Sequence, residues 1–274
     1  MTSFEMKVLN DGNLIPGMGF GTYKLQGEEC SAAVESAIQA GYRLFDTAEF
    51  YQNEESVGLG IKKAGLPREE VFIASKVWID SQQAEDVRGA FERSLVRLGV
   101  SYLDLYLIHW PVKDKTLPAW KVLEALQGEG LIRSIGVCNM DVPHLEALLA
   151  HGTIKPAVNQ IEVNLRNSRP EIVSFCQERD ILVQAWRPLI SGEALAGIPE
   201  LMALAEKYKK TPAQITLRWI IQRDLCPLVK SSAPMRMREN LEVFDFHLWD
   251  QDMAILDSLN QNKSSTGIPT GADY

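Results

Sequence analysis

The sequence predicts an α/β fold of the closed (β/α)8 (TIM) barrel kind, and three observations predict it. Short apolar segments alternate with helical patterns of about 10–15 residues, which implies βαβ units and a parallel sheet. The apolar run Leu103–Ile108 is long enough for a strand and shows no exposed face, as expected of a parallel strand covered on both sides. Finally, eight such units fit within 274 residues, a length that α/β barrels routinely reach as one unit. Eight units in this length favour a closed barrel over an open doubly wound sheet.

Along the chain, residues 6–16 read as a hairpin around Asp11-Gly12-Asn13. The glycines of Gly17-Met-Gly-Phe-Gly-Thr22 are spaced G-x-G-x-G, not G-x-G-x-x-G, and no helix opens on the last of them. That rules against the dinucleotide turn of a Rossmann fold. Strands are expected at 18–21, 43–47, 71–77, 103–109, 134–138, 157–162, 181–186 and 226–230. Helices are expected at 28–40, 54–64, 84–98, 118–128, 143–151, 169–179 and 211–223, with Gly41, Gly65 and Gly99 as C-caps of the first three. A short helix should begin near Arg236. The tail from Asn260 to Tyr274 has no helical pattern and is expected to form a loop over the active-site opening. With no linker or low-complexity tract, residues 1–274 read as one domain.

Composition narrows the function. A hydrophobic fraction of 46% and a charged fraction of 23% describe a folded globular chain. A net charge of −8 argues against nucleic acid or an anionic membrane as the main partner. No apolar run is long enough to span a bilayer, and the N-terminus has no hydrophobic signal core, so the chain is expected to be cytoplasmic; a monomer is also expected. Cys30, Cys138, Cys176 and Cys226 are scattered and read as free thiols of a reducing compartment. No spacing suggests a metal site.

The informative residues are those that end the strands. His109 closes the strand expected at 103–109, where Trp110-Pro111 must stop the ladder. Asp46 and Lys76 precede it at intervals of about one βα repeat, so a barrel would gather all three at its carboxyl rim. Asn139, Gln160, Trp186 and Lys230 end later strands in the same manner. Taken singly, Asp46 and Lys76 could be a structural ion pair and His109 a satisfied core histidine. Polar or aromatic groups ending strand after strand at one rim are not what packing alone would select. Tyr51 follows Asp46 in a loop able to fold back over the strand ends. A phenol ionises near pH ~10, and a neighbouring lysine cation is expected to lower that value. Asp46, Lys76, Tyr51 and His109 therefore form a coherent device for protonating an oxyanion.

On these residues the chain resembles the aldo-keto reductase superfamily. The matching stretches are Gly41-Tyr-Arg-Leu-Phe-Asp-Thr-Ala48 with Tyr51-Gln-Asn-Glu54, Leu103–Pro111, Ile135-Gly-Val-Cys-Asn139, Asn159-Gln-Ile-Glu162, and Lys230-Ser231 with Arg236 and Glu239-Asn240. They span nearly the whole chain in the family's order. The short loops and Gln184-Ala-Trp-Arg-Pro-Leu189 resemble the microbial members that reduce diketogluconate and small dicarbonyls.

The resemblance implies NADPH bound across the carboxyl rim and hydride transfer to an aldehyde or ketone: small dicarbonyls, keto sugars or aromatic aldehydes. It implies Tyr51 as general acid, Lys76 and Asp46 as its tuning pair, and His109 as the group that orients the carbonyl. Asn139 and Gln160 would hold the nicotinamide carboxamide, Trp186 would stack on the ring, and Gly21 and Thr22 would line the cofactor. Leu189 and Ser191 match positions that contact the pyrophosphate. Lys230, Ser231, Ser232 and Arg236 would grip the 2′-phosphate, and Glu239 and Asn240 would meet the adenine. Tyr23, Phe50, Trp78 and Trp110 would form an apolar substrate pocket. Cys138 and Met140 stand where relatives usually have serine and phenylalanine, and Val229, Asn164, Leu165, Arg187 and Ile190 also depart from the pattern. Two further readings compete: a regulatory barrel that binds the cofactor without chemistry, and a lyase using Lys76 as a Schiff-base amine. The complete tetrad weighs against the first. The second needs an unprotonated lysine, which Asp46 would oppose.

Overall fold

The computed structural model describes residues 5–265 and 267–272, so the expectations for residues 1–4, Thr266, Asp273 and Tyr274 lie outside the described residues. Strands β1 (Met6–Val8) and β2 (Leu14–Pro16) pair antiparallel as the expected hairpin. Strands β3 (Gly19–Gly21), β4 (Leu44–Asp46), β5 (Phe72–Val77), β6 (Leu103–Ile108), β7 (Ile132–Cys138), β8 (Val158–Glu162), β9 (Leu182–Trp186) and β10 (Cys226–Val229) are all parallel. They pair in that order, and β10 returns to β3 to close the barrel. Every expected strand is present within about two residues, the usual uncertainty of an element's ends.

The helices are α1 (Gly27–Ala40), α2 (Glu54–Ala64), α3 (Ala84–Leu98), α4 (Thr116–Gly128), α5 (Val142–His151), α6 (Pro170–Gln177), α7 (Gly192–Ala196), α8 (Pro199–Tyr208), α9 (Pro212–Gln222), α10 (Pro234–Leu241) and α11 (Asp250–Asp257). Gly41, Gly65 and Gly99 cap α1, α2 and α3 with φ of 120°, 71° and 67°, which a side chain would resist. A reading of one helix per strand does not anticipate α7, α8 or α11. Helix α8 does carry the signal, with Leu201, Leu204 and Ala205 buried behind a proline at its first turn. Helix α11 buries only Asp252 and Leu256, too sparse a stripe to stand out in sequence.

The core has two layers. Leu44, Phe72, Ala74, Leu105, Leu107, Val158 and Leu228 fill the barrel interior, and a larger apolar shell lies between strands and helices. Leu9 and Ile15 of the hairpin join the interior layer. Asn10 Nδ2 donates to Pro156 O (2.8 Å) and Asp180 O (3.0 Å), and Asn13 Nδ2 to Arg133 O (3.0 Å). The hairpin thus closes the amino end of the barrel and leaves the carboxyl end for chemistry.

The helix shell is tight where α2 meets the end of α3. A Cβ on Gly58 would lie 2.2 Å from Leu98 O, so only glycine fits. Gly58→Ala should therefore destabilise the protein by about 1–3 kcal/mol through forced separation of the helices. Thermal unfolding measures this, and an unchanged midpoint would mean that the contact is not so close in solution. Among the described residues no helix is long and apolar enough to cross a membrane.

Candidate active site

Because all barrel strands run parallel, their carboxyl ends share one rim. Asp46 ends β4, Lys76 is the penultimate residue of β5, His109 follows β6, Asn139 follows Cys138 at the end of β7, Trp186 ends β9 and Lys230 follows β10. Gln160 sits inside β8, which continues to Glu162.

A single 3-10 turn, Glu49–Tyr51, folds the loop after β4 back over this rim. Asn53 holds it, accepting from Thr47 Oγ1 (2.7 Å) and donating to Thr22 O and Leu25 O (both 2.9 Å). Gln26 Nε2 donates to Tyr51 O (2.8 Å). The phenol is thereby delivered to Lys76. The wholly buried Lys76 Nζ donates to Asp46 Oδ2 (2.7 Å), Thr47 O (2.8 Å) and Tyr51 OH (3.4 Å). An ammonium has three N–H donors, and all three are used.

Burial works against the Lys76 charge, but Asp46, the Tyr51 oxygen and the hydrogen bond to Asp46 carry its pKa above the ordinary lysine value. For Tyr51 the sequence expectation needs correction. Burial raises the phenol's pKa above its ordinary value; Lys76 lowers it, but Asp46 and Cys138 raise it further. The lysine thus offsets part of the burial effect without bringing the phenol toward neutrality. Tyr51 is a fully protonated acid at neutral pH. Burial, and then Lys76, hold the His109 pKa well below its ordinary value, so its imidazole is neutral. Its Nδ1 is buried without a partner among the described residues.

Two amides complete the rim. Asn139, in the left-handed region (φ 56°) that asparagine tolerates, donates through Nδ2 to His109 O (3.0 Å) and accepts at Oδ1 from Trp186 Nε1 (3.0 Å). Gln160 Nε2 donates to Asp46 Oδ1 (2.8 Å) and to Gln184 Oε1 (3.0 Å). Gly21 pairs in register with Asp46, and Thr22 gives both its N–H (3.1 Å) and its hydroxyl (3.0 Å) to Asp46 O.

Aromatic rings wall the opening. Phe50 stacks on Trp78 with centroids 3.9 Å apart, Trp78 lies edge-on to His109 at 5.0 Å, and Tyr23 lies 5.0 Å from Tyr51. Glu49 fixes the Trp78 loop by accepting from Trp78 N and Ser81 Oγ, both at 2.9 Å. Trp110 is half-buried, and its carbonyl accepts from Gln82 Nε2 (3.0 Å).

The residues assigned to the cofactor's phosphates and adenine lie farther round the rim. Lys230, Ser232 and Arg236 are exposed, and neither cation enters an ion pair among the described residues. Ser231 turns the chain into α10, its hydroxyl accepting from Ala233 N (3.0 Å). Asn240 is buried, and Glu239 is half-buried with its carbonyl held by Gln214 Nε2 (2.9 Å). Leu189 is half-buried, and Ser191 caps α7 by accepting from Ala194 N (3.2 Å).

Glu162 is a residue that sequence reasoning missed. Buried at the end of β8, it accepts from Asn164 Nδ2 (3.1 Å), Ser264 Oγ (2.8 Å) and Ser265 N (3.1 Å). The tail is tied there, and farther on a Cβ placed on Gly271 would lie 3.6 Å from Ile79 Cδ1, beyond β5. The described parts of the tail thus lie near the carboxyl ends of β8 and β5.

A closed barrel whose rim holds a neutral phenol on a buried ammonium, beside a neutral imidazole, defines an enzyme built to protonate an oxygen that gains charge. The aldo/keto reductase family model matches residues 17–261. Glyoxal reductase of Bacillus subtilis is 46% identical over 256 residues, covering 93% of this chain and 92% of that protein. Methylglyoxal reductase DkgA of Salmonella typhimurium is 42% identical over 258 residues, covering 93% of each. The crystal structure of a Bombyx mori aldo-keto reductase in complex with NADP superposes with a TM-score of 0.91 at 37% identity, covering 97% of this chain and 96% of that one. The chain belongs to the aldo/keto reductase family, and it is an oxidoreductase that acts on carbonyl compounds.

Proposed function

We propose that this protein reduces small dicarbonyl aldehydes of the glyoxal and methylglyoxal kind to hydroxy-carbonyls, using NADPH. The observation that carries the reading is the three-way use of Lys76 Nζ, which ties Asp46, the chain at Thr47 and the Tyr51 phenol into one buried cluster. The aromatic wall of Phe50 and Trp78 supports a small, largely apolar substrate, and so do the names of the two similar bacterial reductases. NADPH, when bound, supplies a hydride to the carbonyl carbon. As the carbonyl oxygen gains charge, Tyr51 gives it the phenolic proton and Lys76 stabilises the phenolate that remains. The neutral His109 ring holds the oxygen in line. Asn139 and Gln160 meet the carboxamide, Trp186 stacks on the nicotinamide, and Lys230 and Arg236 take the 2′-phosphate. The rim fits that group, because both cations are exposed and uncommitted and Trp186 remains half-open. A Schiff-base role for Lys76 is disfavoured, since all three of its N–H groups are engaged and it is held charged. Four free, buried cysteines support work in a reducing cytoplasm.

The test is loss of NADPH absorbance on adding glyoxal or methylglyoxal. No turnover with either compound, or with any small aldehyde, would end the proposal. Cofactor choice gives a second check. A charge-assisted contact contributes roughly 1.5–3 kcal/mol, so Arg236→Ala should weaken NADPH binding by about 10- to 100-fold and leave NADH nearly unchanged. Fluorescence titration with each cofactor reads both constants, and the NADPH effect should shrink as salt rises. Equal weakening of the two would remove Arg236 from the phosphate site.

A further inference from the structure

We propose that Gln184 is a positioning residue for the reaction: it fixes the Gln160 amide, and through it the cofactor carboxamide and the Asp46 side of the proton-donating cluster. Gln184 lies wholly buried in β9, opposite Gln160 of β8 on one side and Cys226 of β10 on the other. Its Oε1 accepts from Gln160 Nε2 at 3.0 Å, while its own Nε2 faces only the Cys226 sulfur, a weak acceptor, and has no nitrogen or oxygen partner among the described residues. That thiol gives its own proton to Pro16 O at 3.4 Å. A buried amide whose N–H groups meet at best a weak sulfur acceptor is a cost to stability. An apolar side chain of similar length would avoid that cost, so what Gln184 supplies is the acceptor oxygen.

The acceptor matters because of what it does to Gln160. With one N–H on Gln184 Oε1 and the other on Asp46 Oδ1, the Gln160 amide has one allowed orientation. Flipped, its carbonyl would face a carboxylate and a second carbonyl, with no donor between them. Gln160 Oε1 is then the atom left to receive an N–H from a carboxamide lying over the strand end. The same bond pins Asp46 Oδ1, while Lys76 pins Oδ2 at 2.7 Å. The links run Gln184–Gln160–Asp46–Lys76–Tyr51, from a buried position to the proton donor.

The inference rests on Gln160 meeting the nicotinamide, as proposed above. Gln184→Met removes the acceptor and keeps the length. Its unfolding midpoint should equal or exceed that of the parent, while the NADPH dissociation constant rises by about tenfold, as expected for loss of one oriented hydrogen bond. With saturating NADPH, kcat for methylglyoxal should fall by about the same factor and KM should change little. Gln184→Glu, whose buried protonated acid still offers a carbonyl oxygen, should recover most of both. Gln160→Met should show a similar loss, and the double variant Gln160→Met/Gln184→Met should be no worse than Gln160→Met alone. Unchanged NADPH affinity in Gln184→Met, losses that multiply in the double variant, or a lower unfolding midpoint would each overturn the proposal. The binding arm reads Gln184 even if the parent protein reduces no dicarbonyl, a result that would instead count against the proposed substrate.

Discussion

Tyr51→Phe should abolish carbonyl reduction, lowering kcat by about 10²–10⁴, the range associated with losing a positioned general acid. The substitution removes one oxygen from a half-buried side chain and leaves the ring in place against Tyr23 and His109. That oxygen receives a bond from Lys76 Nζ at 3.4 Å, the longest of the three, so the Asp46–Lys76 pair should survive its loss. The NADPH dissociation constant should therefore stay within about twofold of the parent's, because an interaction made only in the transition state lowers kcat without weakening ground-state binding. Stopped-flow mixing with NADPH and steady-state turnover separate the two constants. Near-normal turnover in this variant would remove the phenol from the proton-transfer step.

Lys76→Met should be nearly as damaging to activity and more damaging to stability. It deletes the cation that offsets the burial of the phenol, so the phenolate left after proton transfer has no counter-charge. It also leaves the Asp46 carboxylate buried with Gln160 as its remaining side-chain partner. Breaking a buried pair in this way typically costs 3–5 kcal/mol, or about that scale here. Activity per folded molecule, with folding followed by circular dichroism, distinguishes the chemical loss from the structural one. Asp46→Asn should do less, since the ammonium keeps Thr47 O and the phenol. A larger loss in Asp46→Asn than in Lys76→Met would reverse the assigned order of importance.

The sign of the pH dependence follows from the same groups. The folded-state pKa of Lys76 is raised, so its contribution to stability is complete below the ordinary lysine value and is lost only as pH climbs through the folded value. That of His109 is lowered, so its contribution is complete above the ordinary histidine value and is lost as pH falls below it. Stability and kcat should both hold level from about pH 7 to 9.

Most of the scaffold was legible because a parallel strand buried on both faces leaves an apolar run that water cannot mimic, and because each run ended in a residue unlike its neighbours. Asp46, Lys76 and His109 announced themselves in that way. Glu162 did not: the tail hydroxyl at Ser264 that it binds lies 102 residues away in sequence, and no local pattern records such a partnership. Gln184 stood in plain view within Leu182–Ala185, yet only the register of β8 and β9 shows that its oxygen faces Gln160. The Tyr51 pKa was misjudged for a related reason. One neighbour, Lys76, could be inferred from spacing, but the depth of burial depends on loops from several strands closing over the ring. Helices α7 and α8 were lost to an assumption of one helix per unit.

The buried Asp46–Lys76 pair also governs how the protein withstands the compounds it is proposed to consume. Dicarbonyls are electrophiles that form adducts with free amines and thiolates, and a catalyst that concentrates them at its centre exposes its own nucleophiles first. Here the amine at that centre is held as an ammonium by Asp46. Burial keeps the Cys138 thiol protonated well above its ordinary range, and Cys30 and Cys176 are pushed up to about 11 and Cys226 to about 12. Thiols react as thiolates and amines as free bases. The charge state that serves proton transfer is thus also the one that leaves Lys76 a poor nucleophile toward such electrophiles.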